Sequence, residues 1–140
     1  MNEGERSFID TNVWLYAFLA SQDAAKHAVA TQIAGISSTV VSTQVVSEVA
    51  VNLIRKGAFT ELQVRALIES FYEKCAVVGI DREVLLLASN LRERLSLSYW
   101  DSTIVAAALH AGANVLYTED MQHGLTVDDA LSIVNPFLQT

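Results

Sequence analysis

The 140 residues suit one ordinary domain, long enough to bury roughly two thirds of the surface that the unfolded chain would expose. With 51% hydrophobic residues, 6 Gly and 1 Pro the composition excludes a disordered or linker-rich chain, and no apolar run approaches the length needed to span a bilayer. A net charge of −7 excludes a protein that coats nucleic acid by bulk attraction, so any nucleic-acid substrate must be held locally.

Short apolar runs alternate with helical patterns along the chain, the signature of βαβ units around a mostly parallel sheet. Met1–Arg6 is too polar for a secretory leader. Five strands are expected, at Ser7–Ile9, Thr39–Ser42, Ala76–Gly79, Asn114–Tyr117 and Leu131–Val134. After the first, the apolar stretch Val13–Ala20 reads as a helix, with Trp14 and Tyr16 in core or dimer packing. Asp23 opens a helical pattern that Gly35 closes, and Gly57 follows another over Thr43–Lys56. Thr60 with Gln63 suggests a capping box. Cys75, the single cysteine, stands just before the third strand and reads as core; it has no partner for an internal disulfide, in keeping with a reducing cytoplasm. Asp81 starts a stretch in which Val84, Leu87, Ala88 and Leu91 recur at helical spacing, and Gly112 closes a last helix over Trp100–Ala111. The sum is one α/β domain over residues 1–140.

The acids are unusually isolated. From Ser7 to Gln22 the only charged residue is Asp10; from Thr39 to Ile54 it is Glu48; from Leu95 to Thr118, with His110 neutral, it is Asp101. Burying an ionised carboxylate without a partner costs several kcal/mol, so acids persist in apolar segments only where something compensates them. Parallel βαβ units bring residues that follow strands to the carboxyl edge of the sheet. Asp10 directly follows the first strand, and Asp120 comes three residues after Tyr117. Glu48 belongs to a helix beginning at that edge, and Asp101 to the start of a helix that runs antiparallel to the next strand. Four carboxylates in one cleft repel each other unless a cation sits among them, and an oxygen-rich cluster suits Mg2+ or Mn2+.

Each acid also has a plainer reading. Asp10 before Thr11 and Asn12 suits a helix N-cap, Asp101 suits the positive end of a helix dipole, and Asp120 beside Glu119 passes as surface. Glu48, in the second turn of a valine-rich helix, serves no cap.

At these residues the chain resembles the PIN-domain family, in particular the VapC-like toxins of bacterial toxin–antitoxin pairs. The likeness rests on Phe8-Ile9-Asp10-Thr11-Asn12, Ser47-Glu48, Tyr99-Trp100-Asp101, Thr118-Glu119-Asp120 and the ending Ile133-Val134-Asn135-Pro136-Phe137. It implies a three-layer α/β/α domain with a sheet of about five strands. It also implies a metal-dependent ribonuclease, leaving 5′-phosphate and 3′-hydroxyl ends, in which Asp10, Glu48, Asp101 and Asp120 bind the metal. Thr11, Asn12 and Thr118 carry over as supporting polar groups. Glu119 is ambiguous, since it stands where it could share or replace the role of Asp120. A cognate antitoxin that blocks the cleft, a homodimer and a cytoplasmic location belong to the same implication.

Three histidines, His27, His110 and His123, share no motif and read as helix surface, helix end and loop. Arg55 and Lys56, with Arg92 and Arg94, are the cations nearest the acids; as helix-end charges they also simply favour the dipole. Trp100 joins Trp14 and Tyr16 as a residue able to stack on a base. Two rival architectures for the acids are a phosphoacceptor receiver domain and a non-catalytic ion-binding module, and a third reading is an RNA-processing nuclease without an antitoxin. The receiver needs a lysine after the late strands, whereas the lysines here are Lys26, Lys56 and Lys74.

Overall fold

The computed structural model describes residues 5–35 and 38–138. Within them the order is β1 (Ser7–Ile9), α1 (Thr11–Phe18), α2 (Ala24–Ala34), β2 (Thr39–Ser42), α3 (Thr43–Arg55), α4 (Glu61–Lys74), β3 (Ala76–Val78), α5 (Arg82–Leu95), α6 (Tyr99–His110), β4 (Val115–Tyr117), β5 (Thr126–Val127) and β6 (Leu131–Val134). Local chemistry sets these boundaries. Asp23, Ser42, Thr60, Asp81 and Ser98 each cap a helix by accepting from a backbone N–H in its first turn. Thr60 and Gln63 form the reciprocal capping box. Gly57 and Gly112, at φ 68° and 74°, take the left-handed conformation that ends α3 and α6, where a side chain would be strained.

The strands form one sheet in the order β3-β2-β1-β4-β6-β5. All neighbouring pairs are parallel except β5 with β6. Right-handed crossovers put α1 to α4 on one face and α5 with α6 on the other, giving three layers. On the first face α1 packs on α2 and α3, and α3 on α4; on the second α5 packs on α6. The strand cores Phe8, Ile9, Val40, Val41, Leu116 and Ile133 are almost completely buried. Helix α6 is buried from Ser102 to Ala108, which its alanines permit by allowing close approach. The hydroxyls of Ser102 and Thr103 are satisfied by donating to Tyr99 O at 2.7 and 3.0 Å.

All five expected strands are present, shifted by at most one residue at an end. The additional strand, β5, has two residues and escapes any periodicity test. Its turn into β6 uses Asp128 and Asp129 at φ 53° and 52°, closed by Ala130 N donating to Val127 O at 3.0 Å. The stretch Val13–Ala20 mostly turns inward: Val13 and Trp14 are buried, and residues 15–19 pack partly covered against the core. Trp14 meets Phe71 edge-on, with ring centroids 5.0 Å apart, and stacks on Phe18 at 6.1 Å. That excludes Trp14 as a base-stacking residue. Cys75 caps α4 and packs half-buried against the core, where burial pushes its thiol pKa up. Among the described residues no helix is long and apolar enough to cross a membrane.

Leu116 lies at the centre of the sheet and is wholly buried, whereas Leu86 is 62% exposed on α5. In urea unfolding, Leu116→Ala is expected to lose about 2–5 kcal/mol and Leu86→Ala less than about 0.5 kcal/mol.

Candidate active site

The strand ends place the first acid. The ladder between β1, β4 and β6 runs one residue past the strands: Asp10 N donates to Tyr117 O and Thr118 N to Val134 O, each at 3.0 Å. Thr118 therefore stands beside Asp10, and its Oγ1 donates to Asp10 Oδ2 at 2.7 Å. Thr11 N donates to Asp10 Oδ1 at 2.7 Å, so the N-cap reading of Asp10 also holds. Asp10 is only 7% exposed. Burial pushes its carboxyl up from 3.8 to about 6; the two hydrogen bonds oppose the rise, and the charges of Asp120 and Glu48 add to it. The chain leaves β1 toward β2 while β4 lies on the other side, so Asp10 occupies the point where the strand order reverses, the usual place for an α/β site.

Glu48 sits in the second turn of α3. Its Oε2 accepts from Thr11 Oγ1 at 3.2 Å and its Oε1 from Gln44 Nε2 at 3.0 Å. Asp101 is the third residue of α6, and its own N–H donates to the Ser98 cap at 3.1 Å. Asp120 N donates to Thr118 Oγ1 at 3.2 Å, and Asn12 Nδ2 donates to Asp120 Oδ2 at 2.7 Å. Burial raises the Asp120 carboxyl, with the charges of Glu119 and Asp101 adding to the rise. Asp10, Glu48, Asp101 and Asp120 line one cleft of about 940 Å³. Thr11 and Asn12 line it too, while Thr118 supports it from a fully buried position.

Glu119 faces elsewhere. Its Oε2 pairs with Lys26 Nζ at 2.8 Å and its Oε1 accepts from Tyr16 Oη at 2.8 Å. Lys26 Nζ also lies 5.0 Å from the Tyr16 ring centroid and 5.4 Å from that of Phe137. One ammonium thus fastens the loop after β4 to α1, α2 and the segment after β6. Tyr16 is a packing residue rather than a base-stacking one, because its ring and hydroxyl belong to this cluster. His27 is not free surface: its Nδ1 lies 2.8 Å from Tyr16 O. No lysine lines the cleft.

The sequence reading missed Gln44, Asn52 and Tyr99, which also line the cleft. Gln44 and Asn52 lie four residues before and after Glu48, the spacing that puts them on its helix face.

The cleft's donor set is hard oxygen throughout, with no histidine or cysteine among the lining residues. The amide oxygens of Asn12 and Gln44 are buried there without a partner, each amide having turned its NH2 to a carboxylate. Such surplus oxygen fits Mg2+ or Mn2+ and the waters these ions retain. Among the described residues, however, no three acidic, histidine or cysteine side chains form a ready-made ligand group. Hydrogen bonds from neutral neighbours hold Asp10, Glu48 and Asp120. Magnesium needs only one or two carboxylates, reaching the rest through water.

A sequence model of the PIN domain matches residues 7–125. Comparison with curated protein sequences gave no match. Among solved structures, the chain is similar to Mycobacterium tuberculosis VapC20, a sarcin-ricin loop cleaving toxin, with 22% identity, a TM-score of 0.65, and coverage of 81% of this chain and 89% of that one. A toxin–antitoxin complex from Klebsiella pneumoniae gives 18% identity and a TM-score of 0.70 over 94% of this chain and 98% of that one. VapBC2 from Rickettsia felis, bound to a promoter DNA fragment, gives 16% and 0.58 over 81% and 87%. At these identities the likeness concerns the fold.

A carboxyl raised to about 6 stabilises the fold relative to an ordinary aspartate only while protonated, and that advantage is lost as the pH rises through about 6. Asp10→Asn removes the buried charge, and the Thr118 hydroxyl can turn from donor to acceptor. In chelator the variant is expected to melt about 4 °C or more above the parent at pH 7.5, with the gap shrinking by pH 5. A gap that widens on acidification would show that Asp10 is not held this way.

Proposed function

The chain belongs to the PIN-domain family, and on that footing we propose that it is a metal-dependent endoribonuclease of VapC type, held inactive by a cognate antitoxin. What carries the reading is the convergence of four carboxylates from separate segments on one cleft, none of them in an ion pair among the described residues. Asp10, Glu48, Asp101 and Asp120 would hold the ion. When bound, it supplies a water of lowered pKa and offsets charge on the leaving oxygen, giving 5′-phosphate and 3′-hydroxyl products.

The chain's own contribution is preorganisation. Thr11, Thr118, Asn12 and Gln44 fix the carboxylates of Asp10, Glu48 and Asp120 by hydrogen bonds before substrate arrives. Arg55, on the cleft wall, is the cation placed to meet an RNA phosphate. Glu119 stays outside the reaction because Lys26 and Tyr16 hold it. The antitoxin part of the proposal is supported by the toxin–antitoxin assemblies among the similar folds and by the net charge of −7, which suits a basic partner segment. A homodimer belongs to the same proposal, through surfaces other than the inward-turned Val13–Ala20 stretch.

The test is cleavage of RNA in Mg2+ or Mn2+, with end-group mapping. Asp10→Asn, Glu48→Gln, Asp101→Asn and Asp120→Asn are each expected to lose at least about 100-fold in activity, Glu119→Gln to remain within a few-fold, and EDTA to abolish cleavage. Full activity in EDTA, cyclic phosphate ends, or equal behaviour of Asp10→Asn and wild type would overturn the assignment.

A further inference from the structure

A cleft floored by carboxylates on a chain of net charge −7 repels RNA, so its grip on substrate has to come from something other than bulk charge. The basic side chains offer little. Lys26 is committed to Glu119, Arg94 to Asp128 at 3.1 Å, and Arg6 donates to Ala111 O at 2.8 Å. Among the described residues Arg55 is the only basic one that lines the cleft.

The same wall presents a different kind of surface. Tyr99 and Trp100, in the first turn of α6 directly before Asp101, line the cleft and are 51% and 61% exposed. Exposure alone does not mark a site, since Tyr72 is 55% exposed away from the cleft; what sets this pair apart is that both open rings line the cleft beside Asp101, whereas the other tryptophan, Trp14, is 5% exposed. The pair is also braced. Its rings meet edge-to-face with centroids 5.4 Å apart at 87°, and the Arg92 guanidinium lies 4.8 Å from the Tyr99 centroid. Tyr99 is thus engaged by Arg92 and Trp100, leaving the indole as the broad apolar surface beside Asp101.

We propose that Trp100 is a nucleobase-stacking subsite, held in place by Tyr99 and Arg92, which seats one base of the substrate next to the scissile phosphate. The proposal rests on the nuclease reading of the cleft and adds to it a specificity-determining residue. Stacking suits this setting because it is indifferent to the protein's charge and because every base has a face to offer. It also requires a base that is out of its own helix, since a paired base keeps its faces covered.

The two tryptophans make the subsite directly readable, because Trp14 is enclosed while Trp100 faces the cleft. Asp10→Asn protein, chosen because its turnover is expected to be slow, is titrated in Mg2+ with a short unstructured oligoribonucleotide and, separately, with an abasic ribose-phosphate oligomer of equal length. The expected result is saturable quenching of tryptophan emission by the first, little by the second, and none by either once Trp100→Phe is added. In cleavage of the same RNA by otherwise wild-type protein, Trp100→Ala is expected to raise KM by about five- to tenfold with kcat within about twofold, and Trp100→Phe to recover most of the loss. Equal quenching by the abasic oligomer, or unchanged KM in Trp100→Ala, overturns the subsite; the second result is also what a platform reserved for a protein partner would give. Failure of the nuclease reading would look different, with wild type and Asp10→Asn cleaving alike.

Discussion

The cleft is organised around keeping a carboxylate at the end of β1 in a place where water barely reaches it. Asp10 receives hydrogen bonds from Thr11 and Thr118, both neutral donors, and among the described residues it has no ion pair. Neutral donors lower the cost of the charge without cancelling it, which is why the carboxyl remains displaced upward to about 6. Glu48 and Asp120 then make matters worse by adding like charge. An arrangement in which repulsion is built in rather than neutralised costs stability in its ionised form, and a cation bound among the carboxylates would relieve that cost.

Two neighbouring acids show how much the surrounding packing decides. Glu119 and Asp120 are adjacent, yet one is tied to Lys26 and Tyr16 while the other faces Asn12 across the cleft. The ion pair is itself partly exposed, so its direct contribution to stability is small. Its effect is geometric: it fastens the loop after β4 to α1 and α2, so that the next residue is aimed at the site. The net negative charge has the opposite consequences for the two kinds of partner under discussion. On the proposed function it would draw a basic polypeptide toward the cleft, and would leave RNA to be held by an arginine, a metal and aromatic faces.

Much of the fold was legible before any coordinates. The five longer strands, the capping residues Asp23, Thr60 and Asp81, and the glycines that end α3 and α6 were all marked in the sequence, because caps and hydrophobic periodicity are written within a few residues. β5 was not, since two residues carry no period and its existence depends on pairing with β6. The isolation of Asp10, Glu48 and Asp101 in uncharged stretches pointed to the cleft without any contact being known. Core or dimer packing was expected for Trp14 and Tyr16 and both pack inward, but stacking on a base stayed open for them beside Trp100, because a ring in an apolar helix looks the same in sequence whether its face meets core or solvent.

The sequence alone determined which segments become strands and helices and which acids stand without basic neighbours, because these properties reside in local hydrogen bonding and in the order of polar and apolar residues. Only the tertiary structure decided that Asp120 rather than Glu119 faces the cleft, that Trp100 rather than Trp14 is open to a ligand, and that neutral side chains hold the carboxylates short of a ready-made ligand cage. These outcomes turn on pairs such as Asn12 with Asp120 and Lys26 with Glu119, 108 and 93 residues apart, whose meeting is set by the strand order of the sheet.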